Sequence, residues 1–360
     1  MMLKIVHCAD IHIGASFGRL PSHLASLRAE EQRNTFLNTI IYCKEKSVDA
    51  LLICGDLFDS PTPSKRDAEF VRKALSSLSP VPVFIITGNH DYMCSDSPFS
   101  KGNYFSDNVH IFPCFDYHFD IPEKNTVIYG KSYSSAFTEA SFTDISPDKS
   151  RINILCLHGD FNSSGDYNQI NKDLLSSLPI NYTAMGHIHK EEIFQSGNVK
   201  CAYSGALDPT GFDDDGFTGF IYAEITEDET NLSPIPLSKR HYRNISYDVS
   251  GEDTEKILQG IKNIINSEDL YKITLVGETS DELNTDFLQN ELEPCCFYVE
   301  LFDETSISYD FDAIEKEESL RGEFLREVRK LTVSEEEFIL CGKAGLDALT
   351  GKIPSMEVDV

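Results

Sequence analysis

No run of apolar residues in this 360-residue chain approaches the roughly 18 needed to cross a bilayer. Its first residues, MMLKIVHCAD, lack the longer apolar stretch and small-residue cleavage site of a signal peptide. The expectation is a soluble cytoplasmic protein with no membrane association. Among ten cysteines there is no CxxC pair, which excludes the usual thiolate zinc and dithiol redox motifs. Apart from Cys295-Cys296 they are scattered singly. Cys54 in ALLICGD and Cys156 in INILCLHG sit in strand-like apolar runs and read as buried reduced thiols. Internal repeats and low-complexity segments are also missing. Positive charge is scarce, with 31 basic residues against 59 acidic ones and a net charge of −28. Such a balance lacks the basic surface with which proteins usually bind nucleic acid. It favours solubility and the binding of divalent cations.

Apolar residues are plentiful, at 41% of the chain, enough to fill one large α/β domain and a smaller one. Over the first 235 residues, short apolar runs alternate with amphipathic stretches. LKIVHCAD, DALLICGD, VPVFIITGNH and INILCLHG read as strands, and residues 24–46 and 64–78 have helical periodicity. This alternation predicts a sheet covered by helices on both faces. VKCAYSGA and GFTGFIYAEI predict a strand-rich close between residues 199 and 225. Pro234 and Pro236 then predict a boundary. The expected layout is a main domain over 1–235, a small α+β domain over 236–310 and two helices within 311–360.

Five short clusters follow predicted strands. They are Asp10-Ile11-His12, Gly55-Asp56-Leu57-Phe58-Asp59, Gly88-Asn89-His90-Asp91, Leu157-His158-Gly159 and Gly186-His187-Ile188-His189. Alone, each has a plain structural reading as a cap or a turn. Their joint occurrence in this register is what points to chemistry, because residues beyond the carboxyl ends of strands converge in open α/β sheets. Oxygen and imidazole donors without thiolate suit Mn²⁺, Fe²⁺ or Zn²⁺. There are more donors than one ion needs. Two ions sharing a carboxylate clamp an in-line displacement at phosphorus, activate water and neutralise developing charge. A nearby histidine supplies the proton that a leaving alkoxide requires.

In the order DxH, GDxxD, GNHD, H, GHxH, these clusters resemble the signature of calcineurin-like metallophosphoesterases over roughly residues 1–225. The variants DIHIG, GDLFD, TGNHD and GHIH resemble SbcD/YhaO-like DNA repair exonucleases. So does the run YSGALDPTGFDDDGFTGF, although Ser204 and Ala206 stand where that pattern has proline and serine. The resemblance implies an α/β sandwich of mixed sheets flanked by helices, a small α+β capping domain and terminal helices. It implies that Asp10, His12 and His189 hold one metal, that Asn89, His158 and His187 hold the other, and that Asp56 bridges them. His90 would be the catalytic histidine at the scissile phosphate, and Asp59 would orient it by a hydrogen bond. Asp91 reads as stabilising its turn, and His7 and His110 as structural.

The resemblance further implies two divalent cations, Mn²⁺ first, with Fe²⁺ or Zn²⁺ as alternatives. Residues 1–235 become the catalytic domain, 236–310 a DNA-contacting cap, and 311–360 a docking segment. The implied partners are DNA and an SbcC-like coiled-coil ATPase subunit, with a homodimer as a further assembly. Lys239, Arg240 and Arg243 form the clearest local basic cluster and are the candidate DNA contacts. Residues 241–330 carry 22 acidic and 9 basic side chains, so much of any basic surface is expected from the partner. Leu320, Phe324, Val328 and Leu331 predict an apolar stripe on the first terminal helix, to dock or to pack within the chain. Phe338, Ile339, Leu340, Leu346 and Leu349 predict the same for the second. Two other functions stay open, a small-molecule phosphodiesterase or nucleotidase, and a non-catalytic partner subunit.

Overall fold

The computed structural model describes residues 2–137, 145–161, 172–280 and 282–349. It divides into two compact units, Met1–Arg243 and Asn244–Val360. In the first, β1 (Leu3–Cys8), α1 (Ser22–Glu45), β2 (Ala50–Cys54), α2 (Lys65–Ser76), β3 (Val83–Ile86) and β4 (Val109–Ile111) follow one another. Then come β5 (Tyr117–Ile121), β6 (Thr126–Gly130), β7 (Ile152–His158), α3 (Lys172–Ser177), β8 (Tyr182–Gly186), β9 (Glu192–Ser196) and β10 (Val199–Tyr203). β11 (Gly219–Ile225) and β12 (Thr230–Pro236) close the unit.

These strands make two six-stranded sheets, ordered β12-β11-β1-β2-β3-β4 and β5-β6-β7-β8-β10-β9. Both are mixed. β1 to β4 run parallel while β11 and β12 are antiparallel additions. β6, β7, β8 and β10 run parallel, with antiparallel β5 and β9 at the edges.

Alternation along each strand explains the layers. Val6, Cys8, Leu51 and Ile53 pack with Phe36 and Ile40 of α1 and with Val71 and Leu75 of α2. The intervening Leu3, Ile5, Leu52 and Cys54 pack against Ile128, Ile154, Tyr182 and Ala184 of the other sheet. Leu155 and Leu157, on the far face of that sheet, pack with Leu175 of α3. Hence each sheet has helix on one face and the partner sheet on the other, rather than helices on both. Sequence alone leaves this open because both faces of the central strands are apolar, and an apolar face does not say what covers it. Pro234 and Pro236 lie inside β12, which is an edge strand, where a missing N–H is tolerated. The division of the chain falls after Arg243 instead.

The second unit begins within β13 (Tyr242–Asp248), followed by α4 (Thr254–Ile264), β14 (Leu270–Val276), β15 (Glu278–Thr279), α5 (Thr285–Leu292), β16 (Tyr298–Asp303) and β17 (Ser306–Ile307). β13, β14 and β16 form a three-stranded sheet, and Ile257, Ile261, Ile273 and Leu288 are among its buried core. Three helices complete the described part: α6 (Phe311–Glu315), α7 (Leu320–Leu331) and α8 (Glu335–Leu349). The single helix expected from residue 311 is thus broken, because Ser319 caps α7 by accepting from Gly322 N–H at 3.2 Å. Leu325, Phe338 and Leu346 make a small core with Ile314, joined by Phe324 and Val328. Leu320 and Leu331, expected in the same stripe, are 72% and 81% exposed. Residues 350–360 of the expected docking segment lie outside the described residues. No helix of the described residues is long and apolar enough to cross a membrane.

Leu52 sits wholly buried between the two sheets. Leu52→Ala is expected to cost about 2–5 kcal/mol of unfolding free energy. Urea unfolding checks this as a lower midpoint at unchanged slope. A loss under about 1 kcal/mol would mean that the sheets close over the gap.

Candidate metal centre

All five clusters lie at or just beyond the carboxyl ends of strands, with β1, β2 and β3 contributing from one sheet and β7 and β8 from the other. The strand-to-loop transitions are sharp. Asp10, His12 and Asp56 adopt φ of 50°, 50° and 51°, and His187 a φ of 95°. Such conformations cost L-residues on the order of 1–3 kcal/mol each and persist only when neighbours impose them. The neighbours are visible. Ile11 N–H and His12 N–H both donate to Asp56 C=O at 2.9 Å, zipping the first loop to the second. The Asp91 carboxylate accepts from Leu57 N–H at 2.8 Å and from Gly88 N–H at 2.7 Å, tying the second loop to the third. His187 N–H donates to the Asp10 carboxylate at 3.0 Å, drawing in the fifth.

The glycines of these clusters answer to close approach. A Cβ on Gly55, whose φ is +92°, would overlap the His158 ring. One on Gly88 would overlap both Asp56 Oδ1 and that ring.

Two groups of donor atoms result. On one side, Asp10, His12 and His189 bring ligand atoms within 4.8 Å of one another, with His12 Nε2 and His189 Nε2 only 3.2 Å apart. On the other, Asn89 Oδ1 lies 3.0 Å from His158 Nε2 and 3.2 Å from His187 Nδ1. Asp56 Oδ2 stands between them, 3.4 Å from His158 Nε2 and 3.8 Å from His12 Nε2.

Hydrogen bonds behind the rings set their tautomers. His158 Nδ1 faces Cys54 C=O at 2.9 Å, and His189 Nδ1 faces Asp214 Oδ1 at 2.6 Å. Each Nδ1–H donates outward, which leaves the Nε2 lone pair turned into the centre. Facing imidazole lone pairs beside buried carboxylates are what a shared cation satisfies. The residues therefore fit two divalent ions with Asp56 common to both.

Electrostatics follow the same arrangement. Burial opposes the charged form of His158, but the Asp56 carboxylate outweighs it and lifts the pKa to about 9. Burial likewise opposes protonation of His189, and its hydrogen bond to Asp214 overcomes this, again to about 9. For Asp91, burial and the nearby Asp56 charge raise the carboxyl to about 7. The Asp56 and Asp214 carboxylates thus favour positive charge at His158 and His189, whereas the Asp91 shift comes first from burial.

Several expectations change in detail. Asp59 Oδ1 is 3.7 Å from His90 Nδ1, too far for the expected hydrogen bond, and only 3.2 Å from His12 Nδ1. It approaches His12 because their loops are bridged through Ile13 and Phe58. His90 lies at the mouth of the centre, its side chain 46% exposed and its ring edge-on to His12. Arg240 is unsuited to contact DNA. It is 6% exposed, and its Nε donates to Glu31 at 2.9 Å. Lys239 is mostly exposed, with Nζ 3.6 Å from the same carboxylate. Glu31 lies on α1 and, with Arg28 beside it, draws this basic stretch inward. Arg243 is half-buried. His7 is buried against Tyr182, 2.7 Å from its hydroxyl, and His110 stacks on Phe84.

Sequence reasoning missed Asp214, which holds His189, and Tyr133, whose hydroxyl donates to His158 C=O at 2.7 Å. The run FDDDGF was the only signal for the first, and nothing in the sequence marks the second. A cleft of about 330 Å³ opens over the His12 and His189 side, with Ser16, Arg19, Asp59, His90, Thr210 and Asp213 in its wall.

A sandwich of mixed sheets carrying these donors at its strand ends defines the class, a metallophosphoesterase. Residues 3–191 match the calcineurin-like phosphoesterase family, and the chain belongs to that family. It is 28% identical over 246 residues to the uncharacterized metallophosphoesterase YhaO of Bacillus subtilis, an alignment covering 62% of this chain and 58% of that one. It is 24% identical over 374 aligned positions to the DNA double-strand break repair protein Mre11 of Saccharolobus solfataricus, covering 94% of each. Over 95 residues it is 35% identical to the SbcD component of the nuclease SbcCD of Bacillus subtilis, covering 25% of this chain and 22% of that one.

Asp56→Asn is expected to weaken both ions by more than about tenfold, since its carboxylate faces both donor groups. Elemental analysis of the wild type should find two divalent metals per folded chain, and of the variant fewer. One ion at saturation in the wild type would refute the shared-carboxylate arrangement.

Proposed function

We propose that the chain is a metal-dependent phosphodiesterase acting on DNA, an exonuclease or endonuclease of the SbcD type. Asp10, His12 and His189 would hold one cation, Asn89, His158 and His187 the other, and Asp56 both. Bound there, the ions supply an activated water and neutralise charge on the phosphoryl oxygens. Mn²⁺ is the favoured metal on the resemblance to the SbcD type, while the oxygen and imidazole donors by themselves also suit Fe²⁺ and Zn²⁺. His90, at the mouth of the cleft, donates a proton to the leaving oxygen. Asp59 acts on that reaction through His12 rather than by gripping His90. Residues 236–310 serve as a cap for DNA, and the helices from 311 onward as the docking segment for a coiled-coil ATPase subunit, in the cytoplasm. The exposed Leu320, Leu331 and Leu340 support docking, as surfaces that the chain's own described core does not use. A homodimer is a second assembly open to it.

The single observation that carries the DNA reading is the alignment along 94% of a double-strand break repair protein, far beyond the family domain. The charge of −28 and the burial of Arg240 favour a different reading, a phosphodiesterase of small molecules, for which no basic surface is needed. End-labelled linear duplex DNA with Mn²⁺, with and without the ATPase subunit, separates the two. Degradation supports a nuclease. Hydrolysis of bis-p-nitrophenyl phosphate with DNA left intact supports the small-molecule enzyme.

His90→Ala is expected to keep two metals and lose about 10²–10⁴-fold in hydrolysis, the usual worth of a general acid. Its ring nitrogen also comes within 4.8 Å of ligand atoms of His12 and Asp56. Metal content of the variant therefore decides its role, because an emptied site would make His90 a ligand.

A further inference from the structure

We propose that Asp214 is a positioning residue that couples cation binding on the His189 side of the centre to the shape of the cleft wall. The inference rests on reading the donors as a two-metal centre. Asp214 is 7% exposed, and its two oxygens do different things. Oδ1 accepts from His189 Nδ1–H at 2.6 Å. Oδ2 accepts from Thr210 N–H at 2.6 Å and from Thr210 Oγ1–H at 2.9 Å. One buried carboxylate thus joins a ligand imidazole to the backbone of residues 210–213, all four of which line the cleft.

The wall is held at its ends and by one short turn, in which Asp214 N–H donates to Gly211 C=O at 3.1 Å. Between Ala206 and Gly219 the chain has no helix or strand, and its base is closed by Gly219 N–H donating to Ala206 C=O at 3.0 Å. Asp208 anchors the near end through Arg28 Nη2 at 2.7 Å, and Phe212 packs edge-on against Tyr242. Gly211 and Gly216 have open space where a Cβ would stand, so no neighbour packs on that side of them. The Asp214 hydrogen bonds link Thr210 in this wall directly to the His189 ring. Acceptance from Nδ1–H also fixes the His189 ring with Nε2 inward and makes that nitrogen a better ligand. Seating a cation there aligns His189, which seats Asp214, which in turn seats Thr210.

Titration of the protein with Mn²⁺ alone, by calorimetry, tests the ligand half. Asp214→Asn should weaken one of two ions by about 10–100-fold and leave the other within about threefold. Asp214→Glu, which keeps the charge, should recover part of that loss. Hydrogen exchange on the wild type tests the coupling without any substitution. Mn²⁺ loading should protect the Thr210 amide by about tenfold or more, and Asp214→Asn should abolish that gain. The proposal is overturned if Asp214→Asn binds both ions normally, if both weaken equally as the metal-free melting temperature falls, or if exchange at Thr210 ignores Mn²⁺. A wild type that takes up no divalent metal overturns the centre itself. Two normal ions in Asp214→Asn overturn only the role given to Asp214.

Discussion

The structure turns on one buried carboxylate. Asp56 is 2% exposed, sits at a left-handed turn, and faces imidazoles from both sheets. A charge taken out of water at such a point is tolerated only beside compensating positive charge. Around it the protein has gathered histidines rather than lysines or arginines. Imidazoles compensate as protonated groups or step aside as neutral ligands for a metal, and a permanent cation does only the first. The same carboxylate accepts from the His90 backbone N–H at 2.9 Å, so the loop bearing His90 is positioned by the group that would join the metals.

Convergence of this kind requires the sandwich. Donors from β1, β2 and β3 meet those from β7 and β8 only because the two sheets close on a shared apolar layer. Leu52, Cys54, Cys156 and Ala184 in that layer lie just before or beneath the loops that bear the ligands. Core packing and site geometry are therefore linked, and the strain held at Asp10, His12 and Asp56 is sustained by rigid strands on either side. Asp91 illustrates the same economy. Its carboxylate satisfies buried N–H groups of two different loops, which fixes their spacing without touching the cleft.

Charge distribution shapes what the surface offers. Two arginines that a sequence reader would place outside are inside: Arg28 is fully buried and Arg240 nearly so, both joined to Glu31. Arg240 ties the segment leaving β12 to α1, and Arg28 ties α1 to the loop at Asp208 and Pro209. With a net charge of −28, the chain lacks the broadly basic surface that attracts a polyanion.

Part of this was legible beforehand. Apolar runs marked β1, β2, β3 and β7, though not β6 or β8, and the five clusters lie together at the strand ends of the fold. Spacing sufficed there because strand ends and glycine turns are local, short-range choices. Other features were not legible, each for a physical reason. Helices were expected on both faces of β2, yet the other sheet covers the second face, which a run apolar on both faces does not reveal. Asp59 lies nearer His12 than His90, at 3.2 Å against 3.7 Å, a difference set by loop bridging and not by sequence order. Arg240 looked solvated because its partner, Glu31, lies on a helix some two hundred positions away. Asp214 was one aspartate of three in a row, and only folding chose which would face His189. The sequence by itself determined which atoms are available as ligands and which stretches bury them. The tertiary structure alone decided which carboxylate supports which ring, because hydrogen bonds depend on distances of tenths of an ångström that no linear spacing encodes.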